Sequence, residues 1–239
     1  MIKNSISPRI ERGMTKLVVP HEGKSIAVAF PSFGPDTYIN VGREILNAGQ
    51  KVLVGDYAAS LVHSAYCDDS VKDEPEFENI RNIMINGWIS VFNRNLWTPE
   101  GVYVVQDLKA IGRSEKLDSN ELEKALKGGK ELSWGGIRFS RDGKVRFAPK
   151  GSYVIGKQIS ESLAKNGFVI AGHGIEEAEK LGEVSSTLRF NPYVLGLNIE
   201  EGEEPETSVS ALYGNYGNEL HVIGYFDDDN HGRSFGVLT

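Results

Sequence analysis

The stretch DYAASLVHSAYCDD, residues 56–69, holds the chain's single cysteine, Cys67, with His63 four residues before it. At helical spacing these side chains are neighbours, and a thiol beside an imidazole is an arrangement used in nucleophilic catalysis. On a helical wheel Ser60 and Ser64 share their face, while Tyr57, Ala58, Leu61, Val62 and Ala65 fill the other. A solvated face normally carries long charged side chains. A face of Ser, Ser, His and Cys is expected to press on another layer or to border a cleft. Position weighs against a reactive thiolate. Cys67 falls near the C-terminal end of the helix, where the dipole, Asp68 and Asp69 all oppose negative charge. A metal site would need further ligands, and none is predicted.

A second candidate is His173 in IAGHGIEEAE, between two glycines at the expected end of a strand and just before a helix. Ligand sites of open α/β sheets gather at such places, where a histidine can serve as acid, base or oxyanion donor. Glu176, Glu177 and Glu179 crowd that helix start and disfavour an anionic substrate there. Arg94, in FNRNLW, is a candidate clamp for a carboxylate or phosphate, or a partner for stacking on Trp88 or Trp97.

Asp56 follows a strand–helix–strand pattern, where a dinucleotide-binding unit keeps its ribose acid, and is therefore a candidate ligand-binding residue. The first loop, PSFGPD, has one glycine and two prolines instead of G-x-G-x-x-G. Close backbone approach to a pyrophosphate is therefore not expected, and a helix cap explains Asp56 equally well. With no Walker A pattern either, no cofactor is predicted. Near the end, Asp227, Asp229, His231 and Gly232 follow the opening spacing of a calcium loop. Leu238 stands where its bidentate glutamate belongs, so a polar hairpin loop is expected.

The elements that must position these groups read as α+β. KSIAVAFP, PDTYINVGREILNAGQ and KVLVG suggest an N-terminal βαβ-like unit, followed by a helix from Asp56. DEPEFENIRNIMIN and DSNELEKALKGG are helices, the second capped by Asp118 or Ser119. The middle is β-rich, with two hairpins: one around TPEG, the other over Gly136–Pro149. For the second, pairing Ser140 with Lys144 puts Ile137, Phe139, Val145 and Phe147 on one face. Arg138, Lys144 and Arg146 then form a basic outer face, joined by Lys124, Lys127 and Lys130. YVIGKQISESLAKNG reads as a helix, FVIAG as a strand and IEEAEKLGEV as a helix. TSVSALYG, NELHVIGYF and RSFGVLT read as antiparallel C-terminal strands in a mixed sheet. No linker divides the chain, so residues 1–239 are taken as a single domain, with 87–150 as a candidate β-rich insertion.

Composition narrows the function. A net charge of −7 argues against general nucleic-acid binding, whose affinity comes from neutralising phosphates. Residues 181–239 hold 2 Lys and Arg against 10 Asp and Glu, so an acidic tail follows a moderately basic segment. This suggests homo-oligomers formed through opposite charges. No apolar run reaches bilayer length, the first residues lack the apolar core of a secretion signal, and one cysteine allows no intrachain disulfide. Together these predict a cytoplasmic protein without a membrane partner. The leading expectation is an intracellular acid/base or hydrolytic enzyme acting on a small polar molecule, with His63, Cys67 and His173 as catalytic candidates. The alternative is a non-catalytic binding or assembly protein. An enzyme should gather at least two of His63, Cys67, His173, Arg94 and His221 in one cleft.

Overall fold

The computed structural model describes residues 9–11 and 15–238, so most of the reading of the first sixteen residues falls outside the described part. The chain begins with β1 (Arg9–Glu11), β2 (Lys16–His21), β3 (Lys24–Ala29), β4 (Phe33–Thr37), α1 (Tyr38–Asn47) and β5 (Lys51–Val52). Thr37 caps α1 by accepting from the Asn40 amide, and the helix buries Tyr38, Val41 and Ile45. Next come α2 (Gly55–Cys67) and α3 (Pro75–Asn86), whose first-turn proline has no amide to leave unpaired. β6 (Trp88–Thr98) and β7 (Gly101–Gln106) form the hairpin expected around TPEG, with Thr98 opposite Gly101. α4 (Ser119–Leu126) starts at the expected cap, Asp118, whose carboxylate accepts from the amides of Asn120 and Glu121.

The second half holds β8 (Lys130–Glu131), β9 (Arg138–Phe139), β10 (Val145–Pro149), β11 (Gly156–Lys157), α5 (Ser160–Leu163), α6 (Gly167–His173) and α7 (Ile175–Ser186). It closes with β12 (Tyr193–Leu195), β13 (Glu206–Asn215), β14 (Glu219–Phe226), β15 (His231–Ser234) and β16 (Gly236–Leu238). The strands form two sheets. The smaller has the order β1-β2-β3-β16-β5, and the larger runs β11-β12-β14-β13-β6-β7-β10-β9-β8, with β15 and β4 attached beside β6. Pairing is mostly antiparallel. β12 with β14 and β15 with β6 are parallel, so the large sheet is mixed and the fold is α+β.

In the N-terminal unit, β3 and β5 each pair antiparallel with β16, so they run parallel to one another with the C-terminal strand between them. The chain's end thus closes the sheet its beginning opens. One residue, the fully buried Phe235, separates β15 in the large sheet from β16 in the small one.

Three expected elements differ. FVIAG belongs to a helix, α6, in which every residue is buried. A segment buried on all sides has no apolar stripe, so periodicity cannot distinguish it from a buried strand. Its caps are clear: Asn166 accepts from the amides of Phe168 and Val169, and Gly174 ends it at φ 94°. The helix expected over residues 153–167 shrinks to α5, because Gly156 at φ 106° leaves helical space and starts β11.

The third difference is the register of the second hairpin. Phe139 lies opposite Arg146 and Arg138 opposite Phe147, not Ser140 opposite Lys144. The turn is closed by the Gly143 amide donating to the Ser140 carbonyl, with Gly143 at φ 71°. The two arginines therefore leave opposite faces of the sheet, and no single basic face forms. On one face, Arg138 lies over the Phe147 ring and makes a bidentate pair with Glu123 of α4. On the other, Arg146 turns into the protein.

The main core lies between the large sheet and α2, α3, α6 and α7. Trp97, 1% exposed, donates its indole N–H to Ser208 Oγ at 3.0 Å and the Gly224 carbonyl at 3.2 Å. α2 is buried on both faces, Ser60 and Ser64 included, as its small polar side chains suggest.

Candidate functional site

A cleft of about 780 Å³ opens where the β2–β3 turn, the first turns of α2 and α7, and the β9–β10 hairpin meet. The β2–β3 turn has two residues, Glu22 at φ 45° and Gly23 at φ 71°, between the paired His21 and Lys24. Both central residues are left-handed, as a tight hairpin with the sheet's twist requires.

The start of α2 is fixed by close packing. A Cβ on Gly55 would stand 1.9 Å from the Gly172 carbonyl oxygen, so only glycine lets α2 meet the end of α6. Asn93 Nδ2 donates to that carbonyl at 2.7 Å, and His173 Nδ1 donates to the Gly55 carbonyl at 2.9 Å. Asp56 then sits in the first turn of α2. It makes no capping hydrogen bond, contrary to the cap expected from sequence. Its carboxylate instead meets Arg146, with Nη1–Oδ1 at 2.8 Å and Nη2–Oδ2 at 2.5 Å. Arg146 Nε also donates to the Gly143 carbonyl, and its guanidinium lies 5.6 Å from the centre of the Phe139 ring.

At the other side of the cleft, Gly174 ends α6 and caps α7. Glu177, in the first turn of α7, is fully buried. Its Oε1 lies 3.0 Å from His21 Nδ1, 3.4 Å from Ser60 Oγ and 3.3 Å from Lys180 Nζ. Its Oε2 is buried without a hydrogen-bond partner among the described residues. Burial pushes the Glu177 carboxyl up, but the His21 hydrogen bond and the Lys180 charge outweigh it and hold the group below the usual carboxylate range. The His21 ring also meets Ser60 Oγ at 3.1 Å and stands edge-on to Tyr57 at 4.9 Å.

The cleft is acidic. Glu22, Asp56, Asp142, Glu176 and Glu179 line it against Lys130 and Arg146, and Arg146 is already neutralised by Asp56. Such a lining repels anions and concentrates cations.

Of the expected site residues, Asp56 alone lines this cleft, and none lines the second, a space of about 460 Å³ beside α3, Trp88 and Arg233. His63 points elsewhere, its Nε2 2.6 Å from Glu183 Oε2. Cys67 is half-buried, and burial together with Glu183 pushes its thiol up to about 11. His173 is 2% exposed, and burial lowers its pKa. Arg94 is inside the fold, donating to the Glu115 carbonyl. His221 lies between Tyr193 and Tyr213 and bonds Glu219 at 3.0 Å. The acidic loop of Asp227, Asp228 and Asp229 is tied to Arg113 through its guanidinium and its amide.

Sequence reasoning missed His21, Glu22, Arg146 and Glu177 as a group. Their signals were present but local: a His-Glu-Gly tip between two strands, and a glutamate in the first turn after a Gly-His-Gly. Nothing in the spacing links residues 21 and 177.

No protein-family model matches the chain, and no curated protein matches it. A solved structure described as "Accommodation of massive sequence variation in Nanoarchaeota by the C-type lectin fold" is similar, with a TM-score of 0.50 and 12% identity. The match covers 87% of this chain and 97% of that one. The likeness defines the class of fold: two linked sheets with helices, in the manner of a C-type lectin. Among the described residues, no helix is long and apolar enough to cross a membrane.

Proposed function

We propose that this protein is a non-catalytic binding module whose acidic cleft takes a small polar ligand bearing positive charge. The observation that carries this reading is the cleft's lining. Five carboxylates, Glu22, Asp56, Asp142, Glu176 and Glu179, face it against Lys130 and Arg146; Asp56 is paired with Arg146, Asp142 with Lys144 and Glu176 with Lys180, which leaves Glu22 and Glu179 in excess. His63, Cys67 and His173 stand outside it, so the catalytic groups expected from the sequence do not converge there. The similarity to a C-type lectin fold, a scaffold named for binding proteins, supports binding over catalysis. The description of that neighbour as accommodating massive sequence variation fits a scaffold whose function resides in surface side chains.

The test is calorimetric titration with 1,4-diaminobutane and, separately, with inorganic phosphate at low salt. The diammonium ion binds, weakens as salt rises, and loses affinity when Glu176→Gln and Glu179→Gln are combined. Phosphate binding tighter than the diammonium ion would overturn the charge assignment.

A further inference from the structure

We infer that the positively charged ligand selected here is a divalent first-row transition ion of the Zn²⁺ kind, held at the edge of this cleft by its lining residues His21 and Glu22 and by Glu177 buried behind them. This rests on the reading of the cleft as a cation site and names the cation.

Each of the three residues offers one ligand atom, and these atoms all lie within 4.8 Å of one another. A tetrahedral zinc centre separates its ligand atoms by roughly 3.4 Å. Small movements of side-chain tips therefore close the site. The donor set selects the metal. One imidazole with two carboxylates suits zinc and its neighbours, whereas magnesium and calcium need a fuller shell of oxygens.

Glu177 supplies the independent sign that something is bound here. Its side chain is fully buried, yet Oε2 has no hydrogen-bond partner among the described residues. Leaving a buried carboxylate oxygen unsatisfied is costly, and a metal ion removes that cost. Oε1 is meanwhile held by His21 Nδ1, Lys180 and Ser60, which leaves Nε2 as the imidazole's free nitrogen. Gly174 lies beside the free oxygen, and a Cβ there would crowd Oε2 at 2.9 Å.

Charge gives the same answer. Glu176 and Glu177 share one ammonium, Lys180, at 3.1 Å and 3.3 Å, and Glu22 joins Glu177 beside His21. Two negative charges remain, the balance a divalent ion neutralises. The imidazole is already oriented by Tyr57 and Ser60, the outer support metal-ligating histidines require. Glu22 closes the site from the hairpin tip, where its side chain is 60% exposed. With three protein ligands, of which His21 and Glu22 border the cleft, the fourth position is left to water or to a ligand donor atom.

The experiment is calorimetric titration of metal-stripped protein with Zn²⁺ alone, repeated on three variants and compared with the 1,4-diaminobutane titration. One Zn²⁺ binds per chain with micromolar affinity. Glu22→Asn lowers that affinity by about tenfold or more. Asparagine tolerates the left-handed turn position, so this variant keeps the hairpin. His21→Gln abolishes stoichiometric binding, while Asp228→Asn, in the other carboxylate cluster, leaves it unchanged. Loss of Zn²⁺ binding in Asp228→Asn together with retention in Glu22→Asn would overturn the site. If the diammonium ion binds and Zn²⁺ does not, the metal assignment falls and the cation cleft stands. If neither binds, both fall.

Discussion

Arg146 and Asp56, ninety residues apart in sequence, meet as a bidentate ion pair with both partners largely out of solvent. The pair ties the β9–β10 hairpin to the first turn of α2 and forms one wall of the cleft. Removing one partner strands the other as a buried charge, so Arg146→Ala should cost about 3–5 kcal/mol of unfolding free energy. Arg146→Lys keeps the charge but loses the fork and falls between. Arg146→Met combined with Asp56→Leu should recover most of the loss, because no uncompensated charge is left behind. Urea denaturation of the four proteins checks this. A double variant as unstable as Arg146→Ala would show that the pair does more than satisfy itself.

The two glycines at the α2–α6 contact should respond in opposite directions. Gly55→Ala drives a Cβ to 1.9 Å from a backbone oxygen that cannot swing aside, and overpacking of this kind costs about 1–3 kcal/mol or more. At Gly172, a Cβ would meet nothing within 4 Å, and the residue is inside α6. Gly172→Ala should therefore stabilise by about 0.4–1 kcal/mol by restricting the unfolded chain. Thermal melts of both variants decide the matter, and equal effects would contradict the packing described.

How much of this was legible beforehand depends on how local the cause is. The Asp118 cap, the TPEG hairpin and the doubly buried α2 were readable because each depends on neighbouring residues alone. The register of the second hairpin is not legible locally, because a pattern that turns every charged side chain outward mispairs it. Arg146 faces in, to a partner that no local pattern reveals. A two-residue Asp142-Gly143 loop would place Phe139 opposite Arg146, the pairing observed. α6 was misread because burial on every side removes the periodicity that marks a helix, although Asn166 and Gly174 marked its ends. Glu177 was noticed only as one of several acids at a helix start. Its meeting with His21 depends on how the small sheet docks on α2 and α7, a tertiary fact.

Cys67 should behave as a packed thiol. Burial first, and the Glu183 carboxylate second, push its pKa up to about 11. At pH 8 the thiolate is then about a thousandth of the population, since each pH unit below the pKa is a factor of ten. Iodoacetamide alkylation of the folded protein should be slow at pH 8 and still rising tenfold per unit at pH 10. In urea the same cysteine should plateau near the ordinary thiol value. A plateau below pH 8 in the native protein would restore the nucleophile.

His173 sets a limit on acid stability. Burial lowers its pKa below the usual histidine value, against the opposing pull of the Gly55 carbonyl and Asp56. The folded state therefore holds the ring neutral while the unfolded chain protonates at about pH 6.5. Between the two values the unfolded state binds more protons, so stability rises with pH. The contribution is fully present above the unfolded value, declines as pH falls through about 6.5, and levels off below the depressed folded value. His173→Asn offers an amide N–H in the place of Nδ1 for the Gly55 carbonyl and cannot titrate. It should lose some packing at pH 8 but flatten the decline between pH 6.5 and 5. Unfolding free energies of both proteins across that range test this, and parallel slopes would remove His173 as the source.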